Sequence, residues 1–168
     1  MQLNQVSAEK IMADLGMDDL PLMALRPGTA QLPPDWFTQY KNARHQFMQG
    51  LIDAVEELAM LNLNQSEFMD LVMGRAMPQN MSIRMRVPLI WGGDITPANM
   101  FMCSTFPHAN NIDRFIISQI GNDLVWVPNP AKKVYVPAHT AGGGDGGNAT
   151  DDRMSQIAAQ MAMGHGME

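Results

Sequence analysis

The sequence predicts an α+β fold in which helices dominate, with a small antiparallel sheet and a tethered C-terminal helix. Apolar residues recur at helical spacing in the first half of the chain, and alternation of apolar and polar residues replaces that spacing near residue 81. A glycine-rich run then separates the last segment from the rest. We therefore expect a single globular domain over residues 1–140, a linker over 141–149 and an amphipathic helix over 150–168.

The size of the chain permits folding without covalent staples, since 168 residues can bury roughly two-thirds of their unfolded surface. Cys103 is the only cysteine, which excludes an intrachain disulfide and favours a reducing compartment. The first five residues lack the basic and apolar regions of a signal peptide, and no apolar run reaches the roughly 18 residues of a membrane span. The sequence thus predicts a soluble protein of the cytoplasm, or of a particle assembled inside the cell.

The net charge of −6 is unevenly distributed. Residues 1–70 hold ten acidic and four basic side chains, residues 71–139 hold three and six, and residues 140–168 hold four and one. This acidic balance disfavours nucleic acid as a partner and leaves at most weak binding through the basic middle. The expected partners are other protein subunits, including further copies of this chain.

The first helix is predicted over residues 7–15, with Ser7 as its N-cap and Gly16 at its end. A loop punctuated by prolines follows. A long helix is then predicted from Pro34, which suits the first helical position, to about residue 61. Gly50 lies inside this helix and marks a bend or a close crossing. The apolar stripe of the long helix consists of Phe37, Tyr40, Phe47, Leu51, Val55 and Leu58.

A third helix is predicted to begin at Asn64, because Asn64 and Glu67 have the spacing of a capping box. Gly74 is expected to end it. Residues 96–101 are predicted as a short helix, starting at Thr96 and including Met100 and Phe101. Residues 110–120 have helical spacing of apolar side chains, but their β-branched content leaves a strand open as the alternative.

Three strands are expected in the sheet. In residues 81–87, the apolar side chains of Met81, Ile83, Met85 and Val87 alternate with Ser82, Arg84 and Arg86. Pro88 either confines this strand to an edge or ends its pairing. Residues 124–127 and 133–136 also favour strands, and the Pro-Asn-Pro-Ala-Lys segment between them predicts a hairpin.

The C-terminal segment is predicted to form an amphipathic helix from Thr150 onward. A lone helix of that length is marginal in water, so it needs a surface on which to bury its apolar face. The candidate partner-binding residues on that face are Met154, Ile157, Ala158 and Met161.

A cluster of basic residues is the candidate anion-binding site. Arg84 and Arg86 share the outward face of the predicted strand, and Lys132 with Lys133 lies at the predicted hairpin turn. Such cations meet phosphates or an acidic partner, although a solvated strand face accounts for the same pattern.

No cofactor or metal site is expected from the motifs. The glycine run contains G-x-G-x-x-G from Gly142 to Gly147, but no βαβ unit surrounds it, so we interpret it as a linker. Cys103 is interpreted as a buried structural residue. The methionines and His165 near the C-terminus suit Cu(I), but the motif is short and occurs once.

The leading functional hypothesis is a non-enzymatic structural or adaptor subunit of a larger assembly, of the virion or secretion-machine type, docking through the C-terminal arm. One alternative is a small acidic chaperone or peptide-binding module with a groove lined by methionines, which exposed Met69 and Met73 would favour. A second alternative is a hydrolase or nuclease using His108 or His139 with Asp94 or Asp113, which their clustering in one cleft would favour. This last alternative makes no use of a recognised catalytic motif.

Overall fold

The computed structural model describes residues 2–137. The predicted linker and C-terminal helix lie outside the described residues, and so do the four candidate partner-binding residues on that helix. Within the described range the helix-dominated α+β class is confirmed. The α-helices are α1 (Gln5–Asp14), α2 (Trp36–Gly50), α3 (Val55–Ala59), α4 (Gln65–Val72) and α5 (Asn110–Ile117). The strands are β1 (Leu22–Leu25), β2 (Met81–Met85), β3 (Met100–Ser104) and β4 (Val125–Pro128).

Helix α1 begins earlier than the sequence predicts. Asn4, in extended backbone conformation, is the N-cap, and its side-chain oxygen accepts a hydrogen bond from the Ser7 N–H at 2.7 Å. The prediction of Ser7 as the cap is therefore wrong, because Ser7 already lies inside the first turn. Asn caps helices about as well as Ser, so the local signal was present at both positions.

The predicted long helix is interrupted after Gly50, where a 3-10 turn (Leu51–Ala54) joins α2 to α3. A 3-10 turn winds more tightly than an α-helix, so it shifts the direction of every side chain that follows. Phe47 and Leu51 of the predicted stripe are buried, whereas Val55 is exposed. The regular α-helix thus ends at Gly50, and the Lys133 ammonium donates to the Gly50 carbonyl at 3.3 Å.

Helix α4 has the predicted capping box. The Asn64 side chain accepts from the Glu67 N–H at 2.8 Å, and the Glu67 carboxylate accepts from the Asn64 N–H at 3.1 Å. Gly74 follows the helix with φ +74°, a conformation that favours glycine. A Cβ there would overlap the His45 ring, which contacts the Gly74 carbonyl at 3.1 Å.

Strands β2 and β3 form an antiparallel pair in which Ser82 lies opposite Cys103. The strand over β2 was predicted, but β3 was not. The predicted short helix is confined to a 3-10 turn (Pro97–Asn99), and Met100 already belongs to β3. Because β3 is buried on both faces, its sequence is a continuous apolar run rather than an alternating one, and such a run does not identify a strand.

The predicted hairpin between residues 124–127 and 133–136 is wrong. Strand β4 instead pairs antiparallel with β1, which the sequence placed in a proline-punctuated loop. The second segment lies beside β3, where Met102 donates to the Lys133 carbonyl at 2.7 Å and accepts from the Tyr135 N–H at 2.8 Å. Two prolines in the intervening segment, Pro128 and Pro130, lack the N–H groups that a hairpin ladder would use.

The sheet formed by β2 and β3 separates two hydrophobic cores. Met100 and Met102 of β3 point into the core built by α2, α3 and α4, together with Phe47 and Leu51. Phe101 and Cys103 do not share that core. They pack into the core built by α1, α5 and the start of the chain, whose other members are Ala8, Met12, Met17, Leu20, Ala109, Ile112, Phe115, Trp126 and Tyr135. Residues 110–117 form a helix, α5, rather than the strand that the sequence left open as the alternative.

Three amide side chains take the place of missing strand partners, and we call them amide clamps. Each one accepts from the N–H and donates to the C=O of a single residue: Asn80 with Phe106, Asn99 with Val87, and Gln119 with Trp126. The last of these covers the outer edge of β4.

Within residues 2–137, no helix is both long and apolar enough to cross a membrane.

Candidate functional site

A cluster of polar side chains joins the end of β3 to the last described segment of the chain. The Ser104 hydroxyl lies 2.6 Å from Nδ1 of the buried His108, four residues along the chain. The His108 ring meets the Tyr135 ring edge to face, with centroids 5.6 Å apart. The Tyr135 hydroxyl in turn donates to the Asp19 carboxylate at 2.7 Å. The sequence separates Asp19 from Tyr135 by 116 positions, so no local pattern could have predicted this contact.

A groove of about 410 Å³ opens beside this cluster. Its floor is largely apolar, with Met60 and Val134 among the lining residues, and Tyr135 contributes its ring. Its charged lining residues are Asp19, Glu56, Glu57 and Lys132. Carboxylates therefore outnumber cations around the groove, and the Lys132 ammonium already lies 3.4 Å from Glu57.

The buried phenol of Tyr135 is expected to make folding sensitive to alkaline pH. Burial, then the hydrogen bond to Asp19 and the neighbouring carboxylates, raises the pKa of Tyr135 above its usual range. In the unfolded chain the phenol ionises near pH 10. The contribution of Tyr135 to stability is therefore complete below about pH 10 and is lost as the pH rises further. Urea unfolding at a series of pH values should show a steeper alkaline loss of stability in the wild type than in Tyr135→Phe, and equal slopes would contradict this assignment.

The candidate anion-binding residues do not form one cluster of solvated cations. Arg84 makes a two-pronged ion pair with Asp113, at 2.9 and 3.1 Å, and also donates to the Ile83 carbonyl. This pair joins β2 to α5. The guanidinium of Arg84 is partly buried, so its first role in the fold is to hold the helix on the sheet.

Arg86 lies beside the backbone of Lys132, whereas the ammonium groups of Lys132 and Lys133 contact other residues. It donates to the backbone carbonyls of Pro130 and Lys132, and its guanidinium lies 5.8 Å from the centre of the Phe101 ring. Burial lowers the pKa of Arg86. Lys132 pairs with Glu57, and Lys133 donates to Gly50. Anion binding by these four residues stays a prediction, and it would have to compete with these intramolecular acceptors.

The residues of the enzyme alternative are found in different surroundings. His108 is buried beside Ser104, and Asp113 pairs with Arg84. Asp94 lines a separate hollow of about 300 Å³ with Thr29 and Gly92, among others. His139 lies outside the described residues. Within residues 2–137, no group of three or more His, Cys, Asp or Glu side chains has the arrangement of a metal site.

Apolar side chains are exposed at two places, the start of α2 and the end of α4. The sequence did not predict the first, and the second is what the chaperone alternative expects. Trp36 and Phe37 meet edge to face at 5.6 Å, and the Lys41 ammonium lies over the Phe37 ring at 5.1 Å. Phe37 is 55% exposed, although it belongs to the predicted buried stripe. On α4, Met69 and Met73 are 41% and 48% exposed. We call these four residues, Trp36, Phe37, Met69 and Met73, the helical apolar surface.

Lys41 and His45 lie between the two parts of the helical apolar surface. Phe37, Lys41 and His45 follow one side of α2 at intervals of four residues. His45 contacts the Gly74 carbonyl, directly after Met73. The sequence signal that was missed is position, because Trp36 and Phe37 lie in the first turn of α2, before the part of the helix that reaches the core.

Comparison with protein-family models, with curated proteins and with solved structures gives no match to this chain.

Proposed function

We propose that this chain is a non-enzymatic structural or adaptor subunit of a larger macromolecular assembly. In this proposal it works in an intracellularly assembled particle, of the virion or secretion-machine type, and binds other protein subunits. Its C-terminal segment docks as an amphipathic arm through Met154, Ile157, Ala158 and Met161. The helical apolar surface is the observation that carries the proposal, because it gives residues 2–137 a contact region in addition to the predicted arm.

The composition of the helical apolar surface supports this role. Aromatic residues and methionine are enriched at protein interfaces relative to the rest of the surface. The ring of Phe37 contacts Trp36 edge to face and lies under the Lys41 ammonium, and such contacts reduce the side-chain freedom that is lost on binding. Met69 and Met73, in contrast, are flexible and adapt to the shape of a partner.

The polar interior of the described residues supports a structural role for the charged middle segment. Every buried side-chain nitrogen and oxygen in residues 2–137 has a hydrogen-bond partner. Arg84 holds α5 on β2, and Arg86 holds the segment around Pro130. These arginines therefore stabilise the fold while apolar side chains remain available for a partner.

Affinity purification from cells that produce the protein tests the proposal. We expect the full chain to recover a defined set of partner subunits, and Phe37→Glu to recover them at least about tenfold less, as for the loss of an interface anchor. Thr38→Glu is the matched control, because it places the same charge on the next exposed residue of α2. A chain ending at Ala141 should also lose partners if the arm docks. Identical recovery from all four chains would contradict the proposal.

A second candidate function is favoured by one observation. The exposure of Met69 and Met73 fits a peptide-binding or chaperone module, since flexible methionines accommodate many apolar sequences. The same purification separates the two candidates. A chaperone module recovers many unrelated unfolded chains, whereas an adaptor recovers a few proteins in fixed proportion.

A further inference from the structure

The outer edge of β4 is covered by the Gln119 side chain, whereas the outer edge of β1 is open. Ala24 lies opposite Trp126, but the N–H and C=O of Trp126 both bond to Gln119 and so point away from β1. Three positions away, an odd number, the N–H of Asn129 donates to the Pro21 carbonyl at 2.8 Å. Hydrogen-bonded and non-hydrogen-bonded pairs alternate along an antiparallel ladder. Ala24 therefore belongs to a non-hydrogen-bonded pair.

The same alternation fixes the direction of every peptide group in β1. Met23 and Leu25 use their N–H and C=O groups toward β4, opposite Val127 and Val125. The N–H and C=O groups of Leu22 and Ala24 face the opposite way, along the outer edge of the strand. Ala24 is exposed, and Leu22 is partly so. The groups of β1 and β4 that face each other are thus hydrogen-bonded, and the Gln119 amide clamp covers the outer edge of β4. The outer edge of β1 presents two N–H donors and two C=O acceptors.

Strand β1 also lacks the usual protection of an edge. Natural edge strands are commonly shielded by charged side chains, by proline or by a bulge. Residues 22–25 are Leu-Met-Ala-Leu and carry no charge. Pro21 does not shield the outer edge, since its carbonyl bonds to Asn129 on the β4 side and its missing N–H would have faced the same way. A short, apolar, open edge of this kind is suited to pairing with another strand.

We infer that β1 pairs antiparallel with β1 of a second copy of this chain, about a twofold axis that passes beside Met23. In this register Leu22 lies opposite Ala24 of the second copy, and Ala24 lies opposite its Leu22. Both pairs exchange hydrogen bonds, which uses all four outward groups of each strand. The arrangement is self-complementary, as a twofold interface requires. Two two-stranded sheets thereby become one four-stranded sheet.

Charge complementarity selects a second copy as the occupant. Arg26 follows β1, and the antiparallel direction carries it past the end of the strand toward Leu20 of the other copy. Leu20 lines a hollow of about 570 Å³ between α1 and the start of β1. Three carboxylates, from Glu9, Asp18 and Asp19, and one lysine, Lys10, line this hollow, so its lining has a net negative charge. Arg26 is exposed, and its positive charge is attracted by the acidic lining of this hollow. Each copy thus supplies a cation to the acidic hollow of the other.

Register-specific crosslinking tests the inference on the full chain. In the inferred dimer the two copies of Met23 form a non-hydrogen-bonded pair, with Cα atoms about 4.5 Å apart, which is within disulfide range. Met23→Cys should therefore give a covalent dimer under mild oxidation. Leu25→Cys is the matched control, because Leu25 lies opposite Pro21 of the second copy rather than opposite itself. The natural Cys103 is buried and does not compete. Equal crosslinking of both variants, or of neither, would overturn the inference.

Sedimentation of the unmodified chain gives an independent test. We expect a concentration-dependent dimer, and Ala24→Pro should raise its dissociation constant by about tenfold or more, because two of the four intermolecular bonds lose their donor. The β1–β4 ladder does not use the Ala24 N–H, so the variant should remain folded by circular dichroism. Ala30→Pro, in the exposed loop beyond the strand, is the control.

A charge exchange keeps the test decisive if Ala24→Pro fails to fold. Arg26→Glu and Asp18→Arg should each weaken the dimer, and combining them should restore it, since the pair is then reversed rather than lost. A wild-type chain that stays monomeric at all concentrations would overturn the inference, as would a dimer that none of these changes affects. Either result leaves the helical apolar surface untouched, since no variant here lies on it.

Discussion

Gly93→Ala is expected to lower the free energy of unfolding by about 3 kcal/mol, the upper part of the range for overpacking a tight site. A Cβ at residue 93 would overlap the Val87 carbonyl, which is backbone and cannot rotate away. That carbonyl is also held in place, because the Asn99 amide clamp donates to it at 2.9 Å. The Gly93 N–H in turn donates to the Pro88 carbonyl at 3.0 Å. Denaturant unfolding of the variant beside the wild type measures the loss.

Gly121→Ala is the matched control for the same chemical change. Gly121 has φ +95°, but a Cβ there would meet nothing within 4 Å. Only the backbone strain remains, about 1 kcal/mol. A larger effect at Gly121 than at Gly93 would mean that backbone conformation, rather than the close approach to Val87, dominates the need for glycine.

Gln119→Leu is expected to cost about 3 kcal/mol of stability, with the side-chain volume nearly unchanged. Gln119 is completely buried, and its amide satisfies both the N–H and the C=O of Trp126, at 2.7 and 2.8 Å. Leucine would leave both backbone groups without a partner in an apolar environment. Each such buried group costs about 1 to 3 kcal/mol. Thermal and denaturant unfolding should both register the loss.

The same substitution at an exposed amide separates this effect from the general consequences of replacing Gln by Leu. Gln5 is exposed on α1 and donates only to Glu9, at 3.2 Å. Gln5→Leu should therefore change stability by less than about 0.5 kcal/mol. If the two variants were equally stable, the amide clamp would not be needed to complete the edge of β4.

The elements that the sequence predicts correctly are those whose cause is local. The capping box at Asn64 needs only four consecutive residues. The helical spacing of apolar residues in α5 needs only two turns, but the β-branched residues there left a strand open as the alternative. The start of α1 differs because Asn4 and Ser7 are both good caps, and nothing local chooses between them. Gly50 indicated a bend or a close crossing in the long helix, but not the 3-10 turn that follows.

The pairing of β1 with β4 could not be predicted in the same way. The partners are about a hundred residues apart, and the proline-rich surroundings of β1 have the composition of a loop. The hairpin prediction relied on proximity in sequence, and proximity failed because the chain after Pro128 continues to β3. Long-range pairing of short strands depends on which apolar surfaces remain to be covered, and a single sequence does not reveal that.

The candidate site divides along the same line. The sequence identified the basic residues, but not the acceptors that engage them, since the Arg84–Asp113 pair spans 29 positions. It predicted Phe37 as part of a buried stripe because periodicity gives the direction of a side chain on its own helix, and not how far the core extends along that helix. The contact between Tyr135 and Asp19 has no local cause at all.

Strand β3 contributes side chains to both hydrophobic cores. Its even-numbered side chains Met100 and Met102 support one core, and its odd-numbered side chains Phe101 and Cys103 support the other. Neither core can loosen without losing packing contacts with this strand. Residues 2–137 should therefore unfold in one cooperative step, and a substitution that destabilises the α2 core should also destabilise the α1 core, because both pack on the same strand.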